Sequence, residues 1–262
     1  MSSNKNRLSS NAFLLKEMVL RDVRARYAGS GLGLTWAFAN PVLWMILYTI
    51  VFSQILRVPV PERFASFPEF LMAGLLPWMA IQEGISRSAS ALTDNAALVK
   101  KTVFPVETLI LSIVLAAVVT QVIAFAVFAV YVALVGHFSL PWAALALPAL
   151  ALQALLTFGI GCLAATVTAF VRDTVHAIGI VLTVLFYASP IVYPASLVPE
   201  RFRPILQANP VAHLIEWYRC AFTLHAWPEP ASVLYLTLFA AAAVLLGRAL
   251  FARARPHFAD LI

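Results

Sequence analysis

Apolar residues in this chain run in long unbroken blocks. Residues 34–56 carry no charged side chain, and as a helix they are long enough to cross a hydrocarbon layer of about 30 Å. Comparable blocks follow at 67–88, 105–135, 142–171 and 232–251, with a shorter one at 175–189. Read together they predict six spans. The block 175–189 is the odd one, since a helix of that length reaches only about 22 Å. Pro190, Pro194, Pro199, Pro204 and Pro210 follow it, and a helical pattern resumes at Val211. Apolar but interrupted, the segment 190–226 is predicted to be re-entrant, buried in protein or lining a cavity. The short alternating segments of a β-barrel are not what these blocks look like.

Two polar stretches interrupt the pattern informatively. In residues 11–28, spaced at about 100° per residue, Ala12, Phe13, Val19, Leu20, Val23 and Tyr27 gather on one side, opposite Glu17, Arg21 and Arg24. Glu17 and Arg21 also form an i,i+4 pair of favourable orientation. This predicts a helix lying in the membrane interface, joined flexibly to the first span through Gly29, Gly31 and Gly33. The insert 93–101 predicts a brief helix capped by Thr93 or Asp94, with Lys100 and Lys101 at its C-terminal end.

Composition agrees with the blocks. The 262 residues are 62% hydrophobic and 11% charged, against about 25% charged in soluble domains, and mean hydropathy is +0.88. The chain is therefore expected to be an all-α integral membrane protein, a single transmembrane domain over 1–262. Its net charge of +6 sits beside the spans, where topology and anionic headgroups account for it better than nucleic acid does. Six spans put thirteen of the 18 Lys and Arg on the side of the termini, and Arg57, Arg63, Arg201, Arg203 and Arg219 on the other. This bias predicts that both termini are cytoplasmic. Cys162 and Cys220 read as core residues without a disulfide, and residues 1–10 do not resemble a cleaved signal peptide.

Candidate chemistry is sparse. No P-loop pattern occurs, and the glycines around Gly31 do not complete a dinucleotide fingerprint. His213 and Glu216 have metal-pair spacing, but no further ligand lies nearby, and a solvated helix face is the expected reading. Glu83 and Glu107 are predicted near the cytoplasmic boundary, not at mid-membrane where a proton relay needs them. The span 34–56 carries Trp36, Asn40, Trp44, Tyr48 and Phe52 at four-residue steps, a stripe that turns by about 40° per step. Aromatic faces with polar rims suit sugar rings, and equally suit interfacial anchoring and helix packing. Both readings stay open.

The run Arg26-Tyr-Ala-Gly-Ser-Gly-Leu-Gly-Leu-Thr-Trp36 followed by Asn40-Pro41 resembles a motif of the ABC-2 type permeases that export polysaccharides. Phe170-Val-Arg-Asp173, Ser189-Pro-Ile-Val-Tyr193 and Asn209-Pro210 fall in the order seen in that family. The resemblance covers essentially the whole chain, and is nearest to O-antigen exporters. It implies a homodimer in the bacterial inner membrane, bound to two ATP-binding cassette subunits. It further implies that this chain holds no cofactor, metal or catalytic residue, because ATP and Mg sit on the partner. An undecaprenyl-diphosphate-linked glycan would then pass between the two permeases. Trp36, Asn40, Trp44, Tyr48, Phe52, Phe186 and Tyr187 would line its path. Asp94, Leu98, Val99, Lys100 and Lys101 would contact the ATPase. Arg21, Arg24, Arg26 and Tyr27 would meet the lipid diphosphate, unless these arginines serve only topology and headgroup contact. Export of capsular polysaccharide or teichoic acid, or of drugs and small lipids, are alternatives within the family. A lipid-processing enzyme would need paired carboxylates or histidine clusters, which the spans lack.

Overall fold

The helix Phe67–Asp94 (α3) is the most buried of the long helices. The computed structural model describes residues 2–27, 31, 33–100 and 105–261. Before α3 come α1 (Ser2–Tyr27) and α2 (Trp36–Tyr48), which continues as a π-helix over Thr49–Ile55. After it come α4 (Ala96–Val99), α5 (Val106–Leu134), α6 (Leu140–Ala143), α7 (Ala146–Phe170), α8 (Thr174–Tyr187), α9 (Arg203–Gln207), α10 (Pro210–Arg219), α11 (Pro230–Ala254) and α12 (Phe258–Leu261). Among the described residues there is no strand.

Among the described residues, four helices are long and apolar enough to cross a membrane: Trp36–Ile55, Val106–Leu134, Leu140–Phe170 and Pro230–His257. The protein is a multi-pass helical membrane protein. α3 has the length but carries Glu69, Glu83 and Arg87, and its faces are covered by α5, α7, α8 and α10. Glu69 is buried and lies 2.9 Å from His137 Nδ1, in the turn after α5. α8 has 14 residues, a short helix as the sequence predicts.

Small residues set the closest helix pairs. A Cβ on Gly159 of α7 would lie 2.4 Å from the carbonyl carbon of Ala243 in α11, and one on Gly247 would lie 2.2 Å from the Gly159 oxygen. Gly84 of α3 meets Thr157 in the same way, and Gly161 meets Ser88. Between apolar helices, backbone approach of this kind supplies the dispersion contacts that water exclusion cannot. One core gathers Phe70, Trp78, Phe125, Phe128, Tyr218 and Phe222. A second, at the opposite end, gathers Met18, Leu109, Phe251 and Phe258. Met18 and Leu14 dock α1 there, so the side that faces protein is Leu14, Met18, Asp22 and Arg26. Phe13, on the apolar side read from the sequence, is 66% exposed.

Two predicted caps need correction. Thr93 and Asp94 lie inside α3, where the Thr93 hydroxyl donates to the Ser90 carbonyl (2.8 Å) and Ser90 Oγ donates to Asp94 (2.6 Å). Asn95 instead stands before α4, its amide turned back to the Ala91 carbonyl at 2.9 Å. Lys101 lies outside the described residues, as does most of the glycine-rich joint.

The end of α8 shows how a helix stops in an apolar setting. Backbone N–H groups serve the Val184 and Phe186 carbonyls, and side chains serve those of Leu185, Tyr187 and Ala188. Ser189 Oγ donates to Leu185 O (2.7 Å), Tyr193 OH to Tyr187 O (2.5 Å), and Asn209 Nδ2 to Ala188 O (3.3 Å) and to Ser189 Oγ (2.8 Å). Arg219 Nη2 donates to Pro190 O (2.7 Å) and Ile191 O (3.3 Å), and its Nε to Phe70 O (3.4 Å). The Arg219 guanidinium is buried, stacked 3.9 Å from the Phe70 ring centroid. Its carboxylate partner Glu216 (3.8 Å) is held in turn by Arg63 at 2.6 Å.

Arg219, one of the five basic residues that the sequence reading sets on the outward side, is thus buried among backbone carbonyls. His213 and Glu216 are part-exposed: His213 Nε2 donates to Gln207 O (2.8 Å) and Nδ1 meets Ser232 Oγ (3.0 Å), and the Glu216 side chain is 39% exposed. Arg219→Lys keeps the charge but loses the planar fork and the stacking. It is expected to lower stability by about 2–3 kcal/mol, the cost of leaving buried carbonyls unpaired. Thermal unfolding of the purified protein reads this as a fall in Tm, and an unchanged Tm would show that the break does not need the guanidinium.

Candidate functional site

Between α2, α3, α5 and α8 lies a cavity of about 770 Å³. Period-four spacing puts Asn40, Trp44 and Tyr48 of α2 on one wall. α3 contributes Trp78, Met79 and Gln82, α5 contributes Thr120 and Gln121, and α8 contributes Thr183, Phe186 and Tyr187. The rings form two groups, one on α2 and one across α3 and α8. Trp44 and Tyr48 lie 5.4 Å apart, Trp78 and Phe186 5.8 Å, and Phe186 and Tyr187 5.1 Å. Tyr187, at the broken end of α8, is 63% exposed.

Five of the seven sequence-derived channel residues therefore line one cavity: Asn40, Trp44, Tyr48, Phe186 and Tyr187. The other two do not. Phe52 stacks on Tyr48 at 5.7 Å and on Phe67 at 6.5 Å, which is helix packing. Trp36 opens α2 and is half-buried outside the lining. The stripe's own drift explains the split, because four steps of about 40° carry its ends off one face. Behind the wall, Gln121 and Gln153 exchange amide hydrogen bonds at 3.0 and 2.6 Å, and the Tyr218 hydroxyl donates to Gln153 Oε1 at 2.8 Å. The pair places a satisfied polar group beside the cavity, as a buried network requires.

One end of the cavity is charged. Arg26 Nη1 lies 2.6 Å from Glu83 Oε1 and donates to Thr120 Oγ1 at 3.0 Å, while Nη2 meets Asp22 Oδ2 at 3.1 Å. Arg87 pairs bidentately with Asp22, with Nη1 2.7 Å from Oδ2, and touches Glu83 Oε1 at 3.4 Å. Arg26, Glu83 and Arg87 line the cavity, whereas Asp22 sits behind them in a smaller depression with Arg21 and Asp94. Burial opposes ionisation of Asp22, but the Arg87 and Arg26 guanidiniums outweigh it and hold the carboxyl below its usual value. Arg21 and Arg24 are exposed and do not reach the cavity. Tyr27 closes α1, and its side chain is outside the described residues.

Beyond the charged end, Asp94 at the close of α3, Ala97 of α4 and Lys100 just after it are exposed, with Leu98 half-buried. Val99 is buried in the second core, beside Phe258 of α12. Among the described residues no group of His, Cys, Asp or Glu has a metal-binding arrangement.

A family model, that of the ABC-2 type transporter, matches residues 14–223. The chain belongs to the ABC-2 type transporter family. The matched range takes in every wall of the cavity, the charged end and the helix break. The chain is 30% identical to the O-antigen export system permease protein RfbA of Myxococcus xanthus over 252 residues, covering 95% of each. It is 31% identical to the protein of the same name from Klebsiella pneumoniae over 254 residues, again 95% of each. The polysialic acid transport protein KpsM of Escherichia coli is 26% identical over 247 residues, 90% of this chain and 92% of that one. The resemblance read from the sequence is borne out, in the ABC-2 family and in the likeness to O-antigen export permeases. Sequence reasoning missed Arg87, Trp78, Thr120 and Gln121 in this ABC-2 chain. Each sits singly on α3 or α5, where only the packing of four helices gathers them.

Proposed function

We propose that two copies of this chain form the membrane channel of an ATP-driven exporter of a lipid-linked polysaccharide, of O-antigen type and carried on undecaprenyl diphosphate. The observation that carries the reading is the aromatic cavity with one charged end, in a chain that aligns over 95% of its length with O-antigen permeases. A sliding polymer needs contacts that are numerous and individually weak. Ring faces provide them, since every sugar offers a C–H face to stack and a polar rim to bond. The exposed apolar residues Ile180, Val181 and Val184 of α8 and Leu43, Ile46 and Leu47 of α2 suit a second copy that closes the path.

In this reading α3 and α8 join the four long helices as spans in the inner membrane. α1 lies at the cytoplasmic interface, with Arg26 facing the lipid diphosphate, and Arg21 and Arg24 meet headgroups. α9 and α10 form the re-entrant segment near the outer mouth, and both termini are cytoplasmic. The ATPase, on a separate chain with its ATP and Mg, docks against Asp94, Ala97, Leu98 and Lys100, while Val99 supports α4 from beneath. Capsular polysaccharide is the second reading, favoured by the likeness to KpsM.

The test uses a bacterium that lacks its own O-antigen permease and receives this chain with its ATPase. Tyr48→Ala is expected to slow the appearance of surface polysaccharide severalfold at normal membrane abundance. Loss of the protein itself would assign Tyr48 to packing, where such a truncation costs about 3 kcal/mol or more. Normal export at normal abundance would remove Tyr48 from the path. In the same cells a cysteine at Arg63 should react with an impermeant thiol reagent and one at His257 should not; the reverse would overturn the orientation.

A further inference from the structure

The charged end of the cavity holds two guanidiniums and two carboxylates that are not equivalent. Asp22 uses both oxygens on Arg87 and one of them also on Arg26, and it lies behind the lining. Glu83 faces the cavity and meets both arginines through a single oxygen, Oε1, at 2.6 and 3.4 Å. Its side chain is 31% exposed, so it has water to move into. Arg26 still has a spare donor, since its buried Nε has no partner. Guanidinium donors are therefore in excess of the carboxylate oxygens that hold them, and Glu83 is the less firmly bound of the two carboxylates.

We infer that Glu83 is the exchangeable occupant of an anion site made by Arg26, Arg87 and Thr120, and that the diphosphate of a lipid carrier displaces it. The inference deepens the proposed function and rests on it for the nature of the carrier. A diphosphate brings several acceptor oxygens where Glu83 engages the arginines through one of its two, and planar guanidinium forks fit phosphate oxygens in pairs. The position suits an amphiphile. The charged groups end the cavity, and the aromatic wall of Trp44, Tyr48 and Phe186 continues from them toward where sugars attached to the diphosphate would lie. Exchange also has a structural consequence. When Glu83 leaves Arg26, one of the two ion-pair links between α1 and α3 opens, and Asp22 with Arg87 keeps the other. The headgroup then loosens α1 without releasing it.

The test is equilibrium binding of farnesyl diphosphate to the full chain in phosphatidylcholine nanodiscs, which offer no competing anionic lipid. Glu83→Gln removes the internal competitor while keeping its shape, and is expected to bind about tenfold more tightly than wild type. Glu83→Ala should move in the same direction. Arg87→Gln should bind at least about tenfold more weakly. Asp22→Asn should lower thermal stability without tightening binding, because Asp22 does not face the cavity. Unchanged or weaker binding by both Glu83 variants would overturn the exchange. Inorganic diphosphate binding as well as farnesyl diphosphate would overturn the lipid-carrier part and leave a free-diphosphate site. The two readings fail separately. Absent binding with intact polysaccharide export sinks only this site, and the expected binding pattern without export sinks only the export reading.

Discussion

A helix that stops inside an apolar surrounding leaves carbonyls that must find donors, and much of this molecule is arranged to supply them. α8 ends at Tyr187, and the side chains of Ser189, Tyr193, Asn209 and Arg219 serve the carbonyls around its end. The break sets where Phe186 and Tyr187 stand. It also ties α10 to α3, because Arg219 reaches Phe70 as well as Pro190. Without the buried guanidinium the segment 189–193 would carry unpaired polar backbone, which costs more than any single apolar contact there returns. The fourth wall of the cavity exists because its terminus is paid for in hydrogen bonds from another helix.

The cavity itself follows from uneven packing. α7 and α11 approach until backbone touches backbone at Gly159 and Gly247, and α3 meets α7 almost as closely at Gly84 and Gly161. α2 and α8 have no such contacts described, and both leave large side chains exposed. Space opens where bulky aromatic residues, not glycines, face one another. The charged end gains its position from α1, whose Leu14 and Met18 dock in the second core and so bring Asp22 and Arg26 alongside α3 and α5.

Much of this was legible in the sequence, for identifiable reasons. Continuous apolar blocks give spans of fixed length, and the fifteen residues of 175–189 announced a break before Pro190. Asn40, Trp44 and Tyr48 could be placed together because four-residue spacing keeps three successive positions on roughly one face. The same spacing carried Trp36 and Phe52 too far round. Residues whose role depends on tertiary partners were not legible. Arg219 looked like one more outward charge until its stacking on Phe70 was visible, and Val99 looked free until α12 covered it. Arg87 has a local partner in Glu83 four residues earlier, but its pairing with Asp22 of α1 is visible only in the fold. The motifs around Ser189 and Asn209, weak in isolation, become one hydrogen-bonded unit across twenty residues of chain.

The central claim is that a glycan moves along the wall formed by α2 and α8. The most direct measurement is photocrosslinking in exporting cells, with benzoylphenylalanine placed singly at Tyr48, Tyr187 and, for comparison, Leu246 on the outer face of α11. Adducts that carry polysaccharide should form at Tyr48 and Tyr187 and be absent at Leu246. Equal labelling at all three positions, or none at Tyr48 and Tyr187 during active export, would contradict the account.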